Sequence, residues 1–247
     1  MEDKIFGTNP VIEAMTAGRE IDKILLQDGA RHSKLSKIAA MAKERGIMYR
    51  FVNRKKLDEL SEGGNHQGVL AYAAAHSYAE LDDILSYARE RGEAPFVVIA
   101  ENLSDPHNLG SIIRTANAAG AHGVIIPKNR SVGLTGTVAK VSAGAVEYTR
   151  VARVSNIVST LEKLKKEGLW IAGTALEGST MHYEADLTGA LAVVIGAEGT
   201  GLSRLVRETC DFLVKIPMLG QTESLNASVA AGVLLYEAVR QRMAKEK

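Results

Sequence analysis

The chain has one cysteine, Cys210, among 247 residues. That excludes internal disulfides and a multi-cysteine zinc site, and it fits a reducing, cytoplasmic setting. No run of about 18 apolar residues occurs, so no transmembrane helix is expected. The opening stretch MEDKIFGTNP lacks the apolar core of a signal peptide, and secretion is not expected. An excess of one charge sign is missing too: 30 Lys and Arg stand against 29 Asp and Glu, a net charge of +1. Such a total neither advertises nor excludes a nucleic-acid partner, because local patches decide. The histidines His32, His66, His76, His107, His122 and His182 show no paired ligand spacing, so no metal site is expected. There is no internal repeat, no low-complexity tract and no early G-x-G-x-x-G, which disfavours a dinucleotide-binding enzyme.

Apolar residues make up 46% and charged residues 24%, the balance of a globular protein with a substantial core. Residues 1–76 read as a small α/β unit. Helices are predicted over TNPVIEAMTAG, SKLSKIAAMAKERG and RKKLDELSEG, and strands over IDKILLQ, MYRFVN and QGVLAYAAA. This unit holds 12 Lys/Arg and 10 Asp/Glu, and its densest basic spot is Arg50, Arg54, Lys55 and Lys56. Two readings fit that spot, a solvated helix end and a phosphate contact. Residues 77–94 read as a polar, amphipathic helical connector. From residue 95 a second α/β alternation begins. Strands are predicted over 96–100, 123–127, 148–154, 169–175, 191–196 and 212–216. Helices are predicted over 109–119, 135–141, 156–167, 203–210 and 226–243. Near-continuous apolar strands such as LAVVIG suit a mainly parallel sheet covered on both faces.

In an open parallel sheet, ligands bind beyond the carboxyl ends of the strands. Three loops at such ends stand out. The first follows FVVIA and reads NLSDPHNLGSIIRTANAAG. Asn108 or Asp105 can cap the helix it enters. Arg114, six residues after Asn108, is expected on roughly the same face. Ile112, Ile113 and Ala116 around it make a stray Arg costly, although an Arg paired with an acidic neighbour is the plainer reading. The second loop, VIGAEGTGLS, places Glu198 among Gly196, Gly199 and Gly201, where backbone can approach a ligand closely. Ser203 can cap the helix that follows. The third, KIPMLGQTESLNASVAAG, brings Ser224, Leu225, Asn226 and Ser228 into a helix whose Ala227, Ala230, Ala231 and Gly232 permit close packing.

These three stretches, in this order, resemble the three motifs of the SpoU (TrmH-like) family of RNA ribose 2′-O-methyltransferases. KVSAGAVEY between them is also similar to family sequence. IFGTNPVIEAM and NHQGVLA resemble the small L30e-like RNA-binding domain that precedes the catalytic domain in many members. Within the family the chain is similar to the enzymes that methylate a guanosine ribose in the peptidyl-transferase region of 23S ribosomal RNA.

The resemblance implies an L30e-like domain over 1–76, a connector over 77–94, and over 95–247 a SPOUT α/β domain closed by a deep trefoil knot. It implies S-adenosyl-L-methionine as cofactor, RNA as partner, a homodimer whose sites borrow groups from both subunits, and a cytoplasmic enzyme without metal or membrane. Carried over by position, Asn108, Arg114, Glu198, Ser224 and Asn226 are the expected catalytic residues. The cofactor would rest on Thr174, Ala175, Leu176, Gly196, Glu198, Gly201, Ile216, Ser224 and Leu225, and Arg54, Lys55, Lys56, His66 and Gln67 would meet RNA. The chemistry asks chiefly for alignment of a ribose hydroxyl with an activated methyl. Arg114 is a poor base, since guanidinium holds its proton above about pH 12; gripping a phosphate or steadying a developing alkoxide suits it better. Three alternatives stand beside this reading: a family member acting on transfer RNA, a non-catalytic RNA-binding or ribosome-assembly protein, and, for Cys210, a nucleophile in place of a buried structural thiol.

Overall fold

The computed structural model describes residues 3–30, 33–175 and 180–245. His32 and Leu176 lie outside them. The chain divides into two units, one comprising residues up to Ser77 with Gly133–Thr137, the other the remainder.

The first unit runs β1 (Asp3–Phe6), α1 (Thr8–Thr16), β2 (Ile21–Gln27), α2 (Ser33–Glu44), β3 (Met48–Val52), α3 (Arg54–Leu60) and β4 (Val69–Ala73). Its sheet has the order β1-β4-β2-β3. β2 and β3 are parallel, whereas β4 is antiparallel to both β1 and β2. Alternation along β2 and β4 divides the core in two. Ile24, Leu26 and Val69 pack with Val11, Met15, Leu35 and Ile38 of α1 and α2. Leu25, Leu70 and Tyr72 pack with Leu57 of α3. β1 is absent from the pattern-based reading, because four residues are too few to show a period. It forms along the edge that β4 offers.

The second unit contains α4 (Leu81–Glu90), β5 (Phe96–Ala100), α5 (Pro106–Ala118), β6 (Gly123–Pro127), all but the first two residues of α6 (Gly136–Val141), β7 (Val151–Val154), α7 (Ile157–Lys166), β8 (Trp170–Thr174), β9 (Thr180–Met181), β10 (Leu191–Ile195), α8 (Arg204–Thr209), β11 (Phe212–Lys215) and α9 (Ala227–Lys245). Its seven strands are all parallel, in the order β7-β6-β5-β10-β8-β11-β9. Every residue of β5, β6 and β10 is buried, which is why these strands read as unbroken apolar runs. α4, in the stretch read as a connector, is amphipathic for a reason: Ile84, Leu85 and Ala88 are buried in the core of this unit. β7 starts three residues later than the pattern suggests, because Ala145–Glu147 form a 3-10 turn that leaves Tyr148 80% exposed. Among the described residues no helix is long and apolar enough to cross a membrane.

Candidate active site

β5, β10, β8 and β11 lie side by side and parallel, so their carboxyl ends open on one edge of the sheet. After β5 the chain turns into α5. Asp105 caps that helix, accepting the His107 N–H at 2.9 Å, and Pro106 occupies the first turn. With the cap filled, the buried amide of Asn108 is free to reach elsewhere. Its Nδ2 donates to Glu198 Oε1 at 3.1 Å, and its Oδ1 accepts from Asn226 Nδ2 at 2.9 Å. Asn226 Nδ2 also donates to Glu198 Oε1. The other face of Asn226 caps α9: Oδ1 accepts the N–H groups of Ser228 at 2.9 Å and Val229 at 3.3 Å, and the Ser228 hydroxyl at 2.6 Å. One residue from each of the three loops thus enters a single network, with the Glu198 carboxylate as its common acceptor.

The loop that carries Glu198 folds back on itself. Ala197 and Gly201 form an antiparallel bridge, the Gly201 N–H donates to the Ala197 carbonyl at 2.9 Å, and Gly199 and Gly201 have φ of 75° and 63°. A Cβ on Gly196 would stand 2.4 Å from the Gly201 carbonyl carbon and 2.6 Å from the Leu202 nitrogen. Gly196 therefore has a second duty, unseen in the sequence: it lets the loop close. The far end of the loop is tied down by Glu101, which sequence reasoning missed. Glu101 directly follows β5, is 4% exposed, and accepts the Ser203 N–H at 3.1 Å and the Ser203 hydroxyl at 2.6 Å. Ser203 accordingly makes no side-chain cap on α8. The signal was present in FVVIAE, since a carboxylate at the end of a fully apolar strand is costly unless paired.

Beside this network lies a cavity of about 350 Å³. Thr174, Ala175, Gly196, Glu198, Gly201, Ile216, Ser224 and Leu225 line it. Those are all the residues expected at the cofactor except Leu176, which is not described. Ile195, Leu202 and Leu234 supply apolar wall; Arg207, Lys215 and Glu223 supply charge.

Arg114 is not brought into the network. It is exposed, and among the described residues it makes no hydrogen bond or ion pair, while Ile112, Ile113 and Ala116 are buried. Six residues at 100° each put it about 120° round the helix from Asn108, so the expected shared face is corrected. The guanidinium stands in water, and the apolar neighbours cost it nothing. α5 packs on α9, where Gly232 faces Thr115. The open side of α9 presents Val229, Val233 and Tyr236, which are 51%, 37% and 52% exposed. Cys210 is no nucleophile: its thiol donates to the Val206 carbonyl at 3.2 Å, and burial pushes it up to about 12.

In the first unit, Arg54, Lys55 and Lys56 are exposed at the start of α3. Arg54 pairs with Asp58 at 3.9 Å and Lys56 with Glu59 at 3.5 Å, solvated pairs that hold their cations only weakly. His66 is different. It is 6% exposed, its Nδ1 accepts the Gly68 N–H at 2.9 Å, and its Nε2 donates to Asp58 at 2.8 Å. With both nitrogens engaged it holds the turn into β4 and has none left for RNA. Gln67 is exposed, yet its Oε1 accepts the Thr8 N–H at 3.1 Å and hydroxyl at 2.9 Å, fixing the start of α1.

Residues 95–236 match the SpoU rRNA methylase family, and residues 4–79 match the family described as RNA 2′-O ribose methyltransferase substrate binding. A Bacillus subtilis protein assigned to the TrmH family of tRNA/rRNA methyltransferases is 50% identical over 97% of this chain and 96% of its own. Among solved structures, the AdoMet-bound rRNA methyltransferase from Sinorhizobium meliloti is similar with a TM-score of 0.59 and 27% identity, over 96% of this chain and 86% of that one. The TrmH/SpoU tRNA-modifying enzyme of A. aeolicus is similar with a TM-score of 0.57 and 31% identity, over 62% of this chain and 78% of that one.

Proposed function

Because the chain belongs to the SpoU rRNA methylase family, we propose that it methylates a guanosine ribose of 23S ribosomal RNA near the peptidyl-transferase centre, with Asn108, Glu198 and Asn226 organising the transfer. The activity itself is S-adenosylmethionine-dependent 2′-O-methylation of RNA ribose. The observation that carries the reading is the network joining all three loops at the rim of the cavity.

The cavity suits the cofactor chemically. About 350 Å³ is within the range of small-molecule sites. Ile195, Leu202, Ile216 and Leu225 offer apolar wall to an adenine ring. Glu198 and Glu223, with Arg207 and Lys215, offer both signs of charge to a zwitterion. When bound, S-adenosylmethionine supplies an already activated methyl group. The chain's part is placement. Glu198 holds the amides of Asn108 and Asn226 in one orientation, and with Ser224 they form the polar rim that aligns the ribose hydroxyl.

Arg114 acts on the site of a second subunit in this reading. Its exposed side chain, on the helix packed against α9, supports a position at the boundary of a homodimer, where it grips the neighbouring phosphate or steadies developing alkoxide. Residues 1–76 serve as the RNA-recognition domain, with Lys55 and its basic neighbours meeting phosphate. Residues 77–94 connect it to a catalytic domain over 95–247, closed by the family's trefoil knot. A ribosomal target is favoured because the rRNA methyltransferase of known structure aligns with 96% of the chain and the tRNA-modifying enzyme with 62%. Transfer RNA is the second reading, since the B. subtilis relative's name covers both. Mapping ribose methylation on ribosomal and transfer RNA from cells with and without the protein tests this. Loss of one 23S guanosine mark is the expected result; loss of a transfer-RNA mark alone would transfer the assignment.

A further inference from the structure

β3 is an edge strand of its sheet, paired with β2. On it sits Phe51, 59% exposed, an unusual setting for a large aromatic side chain. The ring is not loose. Tyr49, two residues earlier on the same face and half-buried against the α1–α2 core, meets it edge-on, with ring centroids 6.0 Å apart and planes at 84°. That contact steadies the ring, which keeps more than half of its surface open to solvent. Next to Phe51 is Arg50, on the opposite face of the strand. Four residues on is Lys55, in the first turn of α3, whose N-terminus is capped by Asn53 through the Lys56 N–H at 2.9 Å. Arg50 and Lys55 are exposed, and neither has an ion pair or hydrogen bond among the described residues. A braced, exposed aromatic ring at a sheet edge, with two uncompensated cations near it along the chain, complements an unpaired base and the phosphates that adjoin it. It does not complement a duplex, whose bases are already stacked.

We propose that Phe51 is a stacking platform for one unpaired nucleotide of the RNA substrate, with Arg50 and Lys55 holding the adjacent phosphates. This rests on the reading of residues 1–76 as the RNA-recognition domain, and it adds that what this edge recognises is single-stranded. Base–aromatic stacking is worth about 1–3 kcal/mol per base by alanine substitution, a factor of roughly 5 to 150 in affinity.

The test uses the full-length protein and a fluorescent single-stranded RNA of mixed sequence, roughly 12 nucleotides long, within the span of one single-strand groove, with a duplex of equal length as control. Phe51→Ala is expected to weaken single-strand binding about 5- to 150-fold, to leave duplex binding and the salt slope unchanged, and Phe51→Tyr to retain wild-type affinity. Arg50→Ala with Lys55→Ala is expected to lower the salt slope by about 1.4, near 0.7 for each phosphate no longer neutralised. If the charge variant loses binding while Phe51→Ala binds as the wild type, the platform is overturned and the RNA-recognition reading stands. If neither variant changes binding, both fall. If Phe51→Ala alters the sedimentation coefficient and not the RNA affinity, the ring is a contact between subunits and the platform is overturned.

Discussion

Glu198 and Gly196 do different work two residues apart in one loop. Glu198 accepts hydrogen bonds from two amide side chains. In Glu198→Gln an amide can turn its NH2 toward theirs, donor against donor, or keep its oxygen there with a weaker, uncharged bond. Hydrogen bonds to charged groups are worth about 1.5–3 kcal/mol, so methyl transfer is expected to fall by roughly 10- to 150-fold and the melting temperature by several degrees, because the same bonds tie the three loops together. Single-turnover kinetics on the RNA substrate measures this, and wild-type turnover would remove Glu198 from the site. Gly196 acts on the fold of the loop. In Gly196→Ala the new methyl meets backbone that has no room to give. Overpacking of that kind costs about 1–3 kcal/mol. Cofactor affinity and melting temperature should therefore fall together, in calorimetry and thermal denaturation of the same sample. A loss of affinity at unchanged stability would mean that Gly196 serves only as cofactor space.

α5 and α9 both bury one side and leave the other unexplained. Leu234 is 1% exposed and belongs to the chain's own core. The side chains left over are Val229, Val233 and Tyr236, at helical spacing, with Arg114 on the helix packed alongside. If these form the dimer contact, Val233→Asp with Tyr236→Asp puts two charges into an apolar interface. The variant is expected to sediment as a monomer at micromolar concentration, to keep its melting behaviour as a folded chain, and to lose methyl transfer through the loss of Arg114 from the neighbouring site. A monomeric wild type, or a variant that stays dimeric, would refute the contact.

At the scale of the whole chain, His122 contributes a pH dependence to stability near neutrality. His122 is 3% exposed; its Nδ1 accepts the Phe96 N–H at 2.9 Å and its Nε2 faces Glu93 at 3.1 Å. Burial, outweighing the Glu93 carboxylate, holds its pKa below the ordinary 6.5. As pH drops below 6.5 the unfolded chain takes up a proton that the native chain refuses, so stability is lost toward acid and is full above neutrality. Glu93, its own carboxyl lowered chiefly by Arg91, titrates further into acid. Urea midpoints at pH 7.5 and about 5.5 should therefore converge in His122→Asn, which can keep an acceptor for Phe96. An undiminished acid loss in that variant would place the effect elsewhere.

The sequence by itself determined where most elements of the second unit lie, because strands buried on both faces must be apolar at every position and the turns between them must be polar; the two-residue β9 is too short to leave a pattern. It also determined which three loops carry the polar residues of the site. Which side of each helix those residues occupy was decided only by tertiary structure. Asn108 points inward and Arg114 outward because the apolar face of α5, packed on its neighbours, sets the rotation of the helix, and spacing along the chain records that rotation only relative to a core not yet known. The strand order was likewise undetermined: β10 enters between β5 and β8, and sequence order does not say which strands become neighbours. Glu101 meets Ser203 across 102 residues, Gly196 is needed for a loop closing on itself, and His66 is withdrawn into the turn before β4. Each of these depends on contacts between residues that local pattern leaves independent, and burial and hydrogen-bond satisfaction choose among the arrangements that pattern allows.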